Sequence, residues 1–229
     1  ILNTRPAKSA AAYREVWTAD GSPLAAITKA QARALQRLLG ADVLVEHAMR
    51  YGQPAIGERI SAMKAAGCTR ILLAPLYPQY CAATTATAND AAFAALAAMR
   101  WQPAVRTLPP YHDDPAYITA LASAVQRQIA ALDFTPDCLL ASFHGMPQRT
   151  LELGDPYHCQ CQKTARLLAE ALGRPVDIAF QSRFGRAQWL TPSTEEMLAK
   201  LGGAGVKRLA VIAPGFSADC LETLEELAI

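Results

Sequence analysis

The chain has 229 residues, is 52% hydrophobic and 18% charged, and sets 22 Lys and Arg against 20 Asp and Glu for a net charge of +2. That length accommodates one or two domains whose core needs no disulfide or metal staple, and the composition excludes a disordered chain. A near-neutral balance with no basic tract excludes duplex nucleic acid as the expected partner, because phosphate contacts dominate that affinity.

Short aliphatic runs alternate with longer alanine-rich amphipathic stretches. The turn at Gly21-Ser22-Pro23-Leu24 leads into a predicted helix over 28–39, followed by a strand over 43–49. A helix over 55–66 stops before Gly67, and a strand follows over 70–76. Asn89 is read as the N-cap of a helix over 89–99, which precedes a strand over 104–108. The helix over 114–132 carries Pro115 in its first turn, where a missing N–H costs nothing. The remaining order is strand 138–143, helix 160–172 ending at Gly173, strand 176–180, helix 191–201 opening with Pro192, strand 208–213, and a helix from about Asp219 to the chain end. Strands this apolar and this regularly separated by helices predict parallel sheets covered on both faces. The fold class expected is therefore α/β: two similar doubly wound, Rossmann-type lobes, residues 1–113 and 114–229, with a cleft between them. Ligands of such sheets bind at the carboxyl ends of the strands.

No apolar run of about 18 residues predicts a membrane span. Residues 1–12 lack the charged-then-apolar pattern of a signal peptide. The six cysteines, at 68, 81, 138, 159, 161 and 220, are irregularly spaced, which argues against an extracellular disulfide scaffold and for a reducing cytoplasm. The chain starts at Ile1 rather than Met and stops at Ile229 inside a helical pattern, so we expect a piece of a longer protein.

Chemistry gathers where strands end. In Ala141-Ser142-Phe143-His144-Gly145-Met146-Pro147 an apolar strand closes on a histidine and is broken by Gly and Pro, which places His144 at the carboxyl edge; a hydrogen-bonded core histidine would read the same way. In Ala213-Pro214-Gly215-Phe216-Ser217-Ala218-Asp219-Cys220-Leu221-Glu222 a strand and a Pro-Gly turn lead into a helix with Glu222 in its first turn; the helix macrodipole alone also favours an acid there. The loop from Gln181 to Leu190 holds Arg183, Arg186, Phe184 and Trp189, a set suited to a planar anion or to an ordinary surface loop. Met49-Arg50-Tyr51 and Leu76-Tyr77-Pro78-Gln79-Tyr80 follow two further strands. Five such ends on one edge suggest a cleft for a flat, partly charged molecule. His158-Cys159-Gln160-Cys161 places two thiols two residues apart, which reads as half of an iron–sulfur ligand set or, preferred here, as two free thiols at a helix start. Cys138 and His144 sit at opposite ends of one strand, roughly 20 Å apart at ~3.3 Å per residue, too far for a nucleophile and its base. Dinucleotide, P-loop, zincin and serine-hydrolase motifs do not occur.

Taken together, Ser142–Pro147 with Gly154-Asp155-Pro156-Tyr157, Phe180–Pro192, and Pro214–Glu226 closely resemble ferrochelatases of the bacterial type, and 21–24, 49–51 and 76–80 agree in order. The resemblance covers essentially the whole chain, without the family's opening strand, its Asn-Leu-Gly loop and its C-terminal segment. It implies a lyase that inserts Fe²⁺ into protoporphyrin IX to form protohaem, in the last step of haem synthesis, with no redox cofactor. By the same resemblance, His144 and Glu222 form the catalytic and metal-binding pair. Met49, Arg50, Tyr51, Tyr77, Tyr157, Ser182, Arg183 and Trp189 fall on porphyrin-binding stretches. Cys220 stands where some relatives have a second histidine. Some members carry a 2Fe–2S cluster on C-terminal cysteines; Cys159 and Cys161 are the only local pair to set against that, and the cluster is not favoured.

Such a reaction must remove two pyrrole protons and strip water from a divalent cation. A neutral imidazole accepts a proton near neutral pH, and a carboxylate offers a hard oxygen to iron or relays the second proton. Arg50, Arg183 and Arg186 suit the two propionates. Three rival readings are a cobalt or nickel chelatase, a non-catalytic porphyrin or haem carrier, and an iron–sulfur sensor. Partners expected are protoporphyrin IX and ferrous iron, with peripheral membrane contact an open question and the oligomeric state unread.

Overall fold

The computed structural model describes residues 5–228, with side chains from Ala10 onward. It is a mixed α/β structure with two small parallel sheets, and its contacts divide the chain into two compact units.

The first unit draws on Ile1–Leu76, Ala82–Pro109 and Ala218–Ile229. Its helices are α1 (Arg5–Val16), α2 (Pro23–Leu39), α3 (Ile56–Ala65), α4 (Thr87–Ala97) and α9 (Leu221–Leu224), and its strands are β1 (Arg70–Leu73) and β2 (Ala104–Thr107), paired in parallel from Arg70↔Ala104 to Leu73↔Thr107. The core is modest: Ile60, Ile71, Ala92 and Leu96, with Met63, Leu73 and Val105 packed around them. Gly57 lets α3 approach α4, since a Cβ there would lie 3.2 Å from Ala95 Cβ.

Several sequence expectations are corrected here. The stretch 43–49 is not a strand; only Met49 makes an isolated bridge, to Ala55. Its backbone is held instead by a side chain, as Gln36 donates to the Val43 carbonyl at 2.8 Å and accepts from the Val45 amide at 2.8 Å. Helix α2 starts five residues before the expected 28, because Ser22 Oγ accepts from the Ala25 amide and Pro23 is preset for a first turn. Asn89 lies inside α4 rather than at its cap, since a π-helical turn over Ala82–Ala86 runs directly into Thr87. The helix expected from Asp219 onward is the four-residue α9, and it packs on α1, a helix the sequence reading did not anticipate. That packing assigns the last segment to the first unit, so the units do not follow the 1–113 and 114–229 division.

The second unit comprises Tyr77–Cys81 and Pro110–Ser217. Its strands are β3 (Cys138–His144), β4 (Asp177–Gln181) and β5 (Leu209–Ile212), in parallel order β4-β3-β5. Its helices are α5 (Pro115–Ala131), α6 (Gln148–Glu152), α7 (Tyr157–Leu172) and α8 (Thr194–Gly203). Leu139 to Phe143 of the central strand have no exposed surface, as expected of a strand walled on both faces. On one face Ala141, Phe143 and Phe180 pack with Cys161 and Ala165 of α7; on the other Leu140 and Ala179 meet Met197 of α8. Two βαβ crossovers thus cover the sheet on both sides. Asp114 caps α5 by accepting from the Ala116 and Tyr117 amides, and Ser193 with Glu196 forms a reciprocal capping box on α8. The structure therefore begins α8 at Thr194, after Pro192 rather than with it.

Candidate active site

Strand β3 carries His144 to the carboxyl edge of the second unit's sheet, half-buried beside Gly145. The peptide joining these two residues is held at both ends. Its N–H, from Gly145, donates to the Gln181 carbonyl at 2.8 Å, and its carbonyl, from His144, accepts from the Tyr157 hydroxyl at 3.0 Å. The imidazole is fixed by the next peptide: Nδ1 lies 2.7 Å from the Gly145 carbonyl oxygen. A carbonyl only accepts, so Nδ1 carries the proton of this bond, and in the neutral imidazole that leaves the lone pair on Nε2.

Beneath the site is a buried polar chain. Ser142 Oγ donates to Gln181 Oε1 at 2.6 Å and lies 2.8 Å from Thr194 Oγ1, whose hydroxyl supplies the proton of that second bond. The loop after β4 is zipped to the strand end by Gln148 N–H to the Gln188 carbonyl and Leu190 N–H to the Met146 carbonyl. Trp189 is buried there, donating from Nε1 to the Phe184 carbonyl at 3.0 Å with its ring against Phe184. Ser182 adopts φ +64, the left-handed region. Arg183 pairs with Glu196 at 3.1 Å, so it is tied to the α8 cap.

Two more segments of this unit end nearby in the chain's logic. Pro78 and Gln79 are fully buried; Gln79 donates to Thr164 Oγ1 at 3.0 Å, and the Tyr80 amide donates to Gln160 at 2.6 Å, which fastens the stretch after Tyr77 to α7. The loop after β5 is held by Tyr117, donating to the Pro214 carbonyl at 2.5 Å, and by Tyr111 with Ser217 at 3.2 Å. Burial holds both phenols above their ordinary range, so both stay protonated.

In the first unit Glu222 sits half-buried in the first turn of α9, next to its N-cap Cys220. Burial first, and the Glu222 carboxylate second, push the Cys220 thiol up to about 12, so it is a neutral neighbour. Tyr13 is raised by burial and then by the same carboxylate. Arg50 lies 4.5 Å over the Tyr51 ring, its Nε buried without a hydrogen-bond partner, while Tyr51 is 74% exposed; Met49 is bonded to the Pro54 carbonyl.

The structure does not bring the Cys-x-Cys pair together. Cys159 is exposed and Cys161 fully buried, because two positions on an α-helix diverge by about 200°. Among the described residues no three or more His, Cys, Asp or Glu side chains converge as a metal site. These two residues therefore do not fit an iron–sulfur cluster. Cys138 donates to Asp177 at 3.2 Å and is raised to about 11 by burial and that carboxylate, which makes it a structural thiol. Gln181, Ser142, Gln79 and Tyr117 support the site and were missed by sequence reading.

A family model described as ferrochelatase matches residues 1–229. The chain is 57% identical to the ferrochelatase of Rhizobium meliloti (strain 1021) over 235 aligned residues, covering 100% of this chain and 69% of that one. The chain belongs to the ferrochelatase family. It is also 54% identical to the ferrochelatase of Agrobacterium fabrum (strain C58 / ATCC 33970) and 52% identical to that of Nitrobacter hamburgensis (strain DSM 10229 / NCIMB 13809 / X14), covering all of this chain and 68% of each relative. The two small parallel sheets agree with a ferrochelatase fold, and among the described residues no helix is long and apolar enough to cross a membrane.

Proposed function

We propose that this chain works as its family name states, as a lyase inserting ferrous iron into protoporphyrin IX to give protohaem and two protons, with His144 and Glu222 handling the metal and the protons. Family membership over the whole chain supports the reaction. The observation that carries the role of His144 is its tautomer: the bond from Nδ1 to the Gly145 carbonyl leaves Nε2 as the free base at the carboxyl edge of the sheet.

In this reading the reaction divides into three tasks. The apolar and aromatic side chains of Met49, Tyr51, Tyr77 and Trp189 exclude water from the porphyrin faces, and Arg50, with Arg183 once it exchanges its Glu196 partner, meets the propionates as a guanidinium fork. His144 Nε2 accepts one pyrrole proton and becomes an imidazolium whose Nδ1–H bond to the Gly145 carbonyl strengthens with the charge. Glu222 offers a hard oxygen to the entering Fe²⁺ or takes the second proton. Fe²⁺ is substrate here, and no redox cofactor or iron–sulfur cluster is part of the proposal. We place the enzyme in the cytoplasm.

The test is metal insertion by the full protein mixed with protoporphyrin IX and Zn²⁺ or anaerobic Fe²⁺, followed by the porphyrin spectrum. Turnover is expected, with its abolition in folded His144→Ala and a loss of at least ~10²-fold in Glu222→Gln, the low end for a positioned proton-transfer group. Near-normal turnover by His144→Ala would sink its role, and porphyrin binding without conversion would make the protein a carrier.

A further inference from the structure

A trans peptide directs its N–H and its C=O to opposite sides. In the peptide between His144 and Gly145 the N–H points to β4, where it meets Gln181. The His144 carbonyl therefore points away from β4, toward the side on which β5 pairs with β3. The pairing with β5 stops at Ala141↔Ile212, so no strand is there to receive it. The Tyr157 hydroxyl takes that place at 3.0 Å, from the first turn of α7.

Tyr157 is built for this one contact. It is buried in the core cluster that also holds Ala141, Phe143, Cys161 and Phe180, and its own amide is capped by Asp155 at 3.0 Å. The buried Cys161 thiol belongs to the same core. Burial, reinforced by the neighbouring Cys161, also keeps the phenol protonated far beyond neutral pH.

We propose that Tyr157 is a positioning residue for His144: its hydroxyl clamps the 144–145 peptide from the side opposite Gln181, and so fixes the Gly145 carbonyl that holds the imidazole in its Nδ1–H tautomer. The inference rests on the proposed role of His144, and it gives Tyr157 a task other than lining the porphyrin pocket.

The substitution Tyr157→Phe keeps the ring and removes only the hydroxyl. ¹⁵N-histidine NMR of the full protein reads the tautomer directly, and steady-state kinetics of metal insertion read its consequence. The wild type should show His144 as the Nδ1–H tautomer. The variant should show a tautomer mixture, a kcat about tenfold lower, and a porphyrin KM within about twofold of wild type. A folded Tyr157→Phe protein with wild-type tautomer and kcat overturns the proposal. So does a raised KM with kcat and tautomer unchanged, which would mark a porphyrin contact. An Nε2–H tautomer in the wild type overturns it without any variant. Should the wild type insert no metal, the chelatase reading fails, and the NMR comparison still decides whether Tyr157 sets the histidine.

Discussion

At Gly145 a side chain of any size meets backbone. A Cβ built there would lie 2.5 Å from the Gln181 carbonyl oxygen and 3.3 Å from Trp189 Cε3. That carbonyl also accepts the Gly145 amide at 2.8 Å, so the bond that closes β3 on β4 needs the approach that a methyl group forbids. A flexible neighbour would swing aside, but a carbonyl inside a paired strand moves only with its strand. Gly145→Ala should therefore cost about 2 kcal/mol, a fall of roughly 4–8 °C in Tm for a chain of this size, and should lower metal insertion as His144 shifts with its peptide. Calorimetry and the insertion assay check both, and an unchanged Tm with full turnover would show that the strands yield freely. The place of His144 at the end of β3 was legible in the sequence, because Gly145 and Pro147 break the apolar run there. Tyr157 and Gln181 were not legible in these roles. Each acts through a backbone atom of another segment, and a carbonyl or amide leaves no mark on residue identity.

Helix α8 shows what an element's own sequence decides. Ser193 Oγ accepts from the Glu196 amide at 3.2 Å, and the Glu196 carboxylate accepts from the Ser193 amide at 2.9 Å. Those two bonds overrule the Pro192 signal and start the helix at Thr194, which in turn holds Thr194 against Ser142 beneath the candidate site. Ser193→Ala should cost about 1 kcal/mol in a denaturant titration. Glu196→Gln, which keeps an accepting oxygen for the cap, should cost less than Glu196→Ala; equal losses would assign the effect to the Arg183 ion pair instead. The same logic separates the elements that were legible from those that were not. The start of α5 at Asp114-Pro115 and the buried β3 follow from local chemistry, whereas the equally local Ser22 cap of α2 was missed. The residues 43–49 are as apolar as a strand, but a strand exists only through a partner, and here Gln36 takes the backbone bonds a partner would make. The short α9 owes its place to α1 rather than to its own length.

Across the whole molecule, burial of histidines sets how stability responds to pH. His47 in the first unit, and His112 and His158 in the second, are all pushed below the ordinary imidazole value of 6.5, in each case first by burial. At His47, Arg59, Lys29 and Arg33 add to that and Glu46 opposes it; at His112, Lys163 adds and Asp113 opposes. A group whose folded value is depressed binds fewer protons folded than unfolded. Its contribution is complete above 6.5 and is lost as pH falls below it toward the lower folded values. The three side chains are partly exposed, so solvent screens each effect and the loss is shared rather than concentrated in one group. Carboxylates held low by a partner, such as Asp113 by Lys163, contribute only at more acid pH and leave this window to the histidines. The urea midpoint should thus fall between pH 7.5 and pH 5.5, and the double substitution His112→Gln with His158→Gln should flatten that fall by removing the buried imidazoles of the second unit. A midpoint that is level across this range in the unsubstituted protein, or a slope untouched by the double substitution, would mean that the folded chain accepts these protons as readily as the unfolded one.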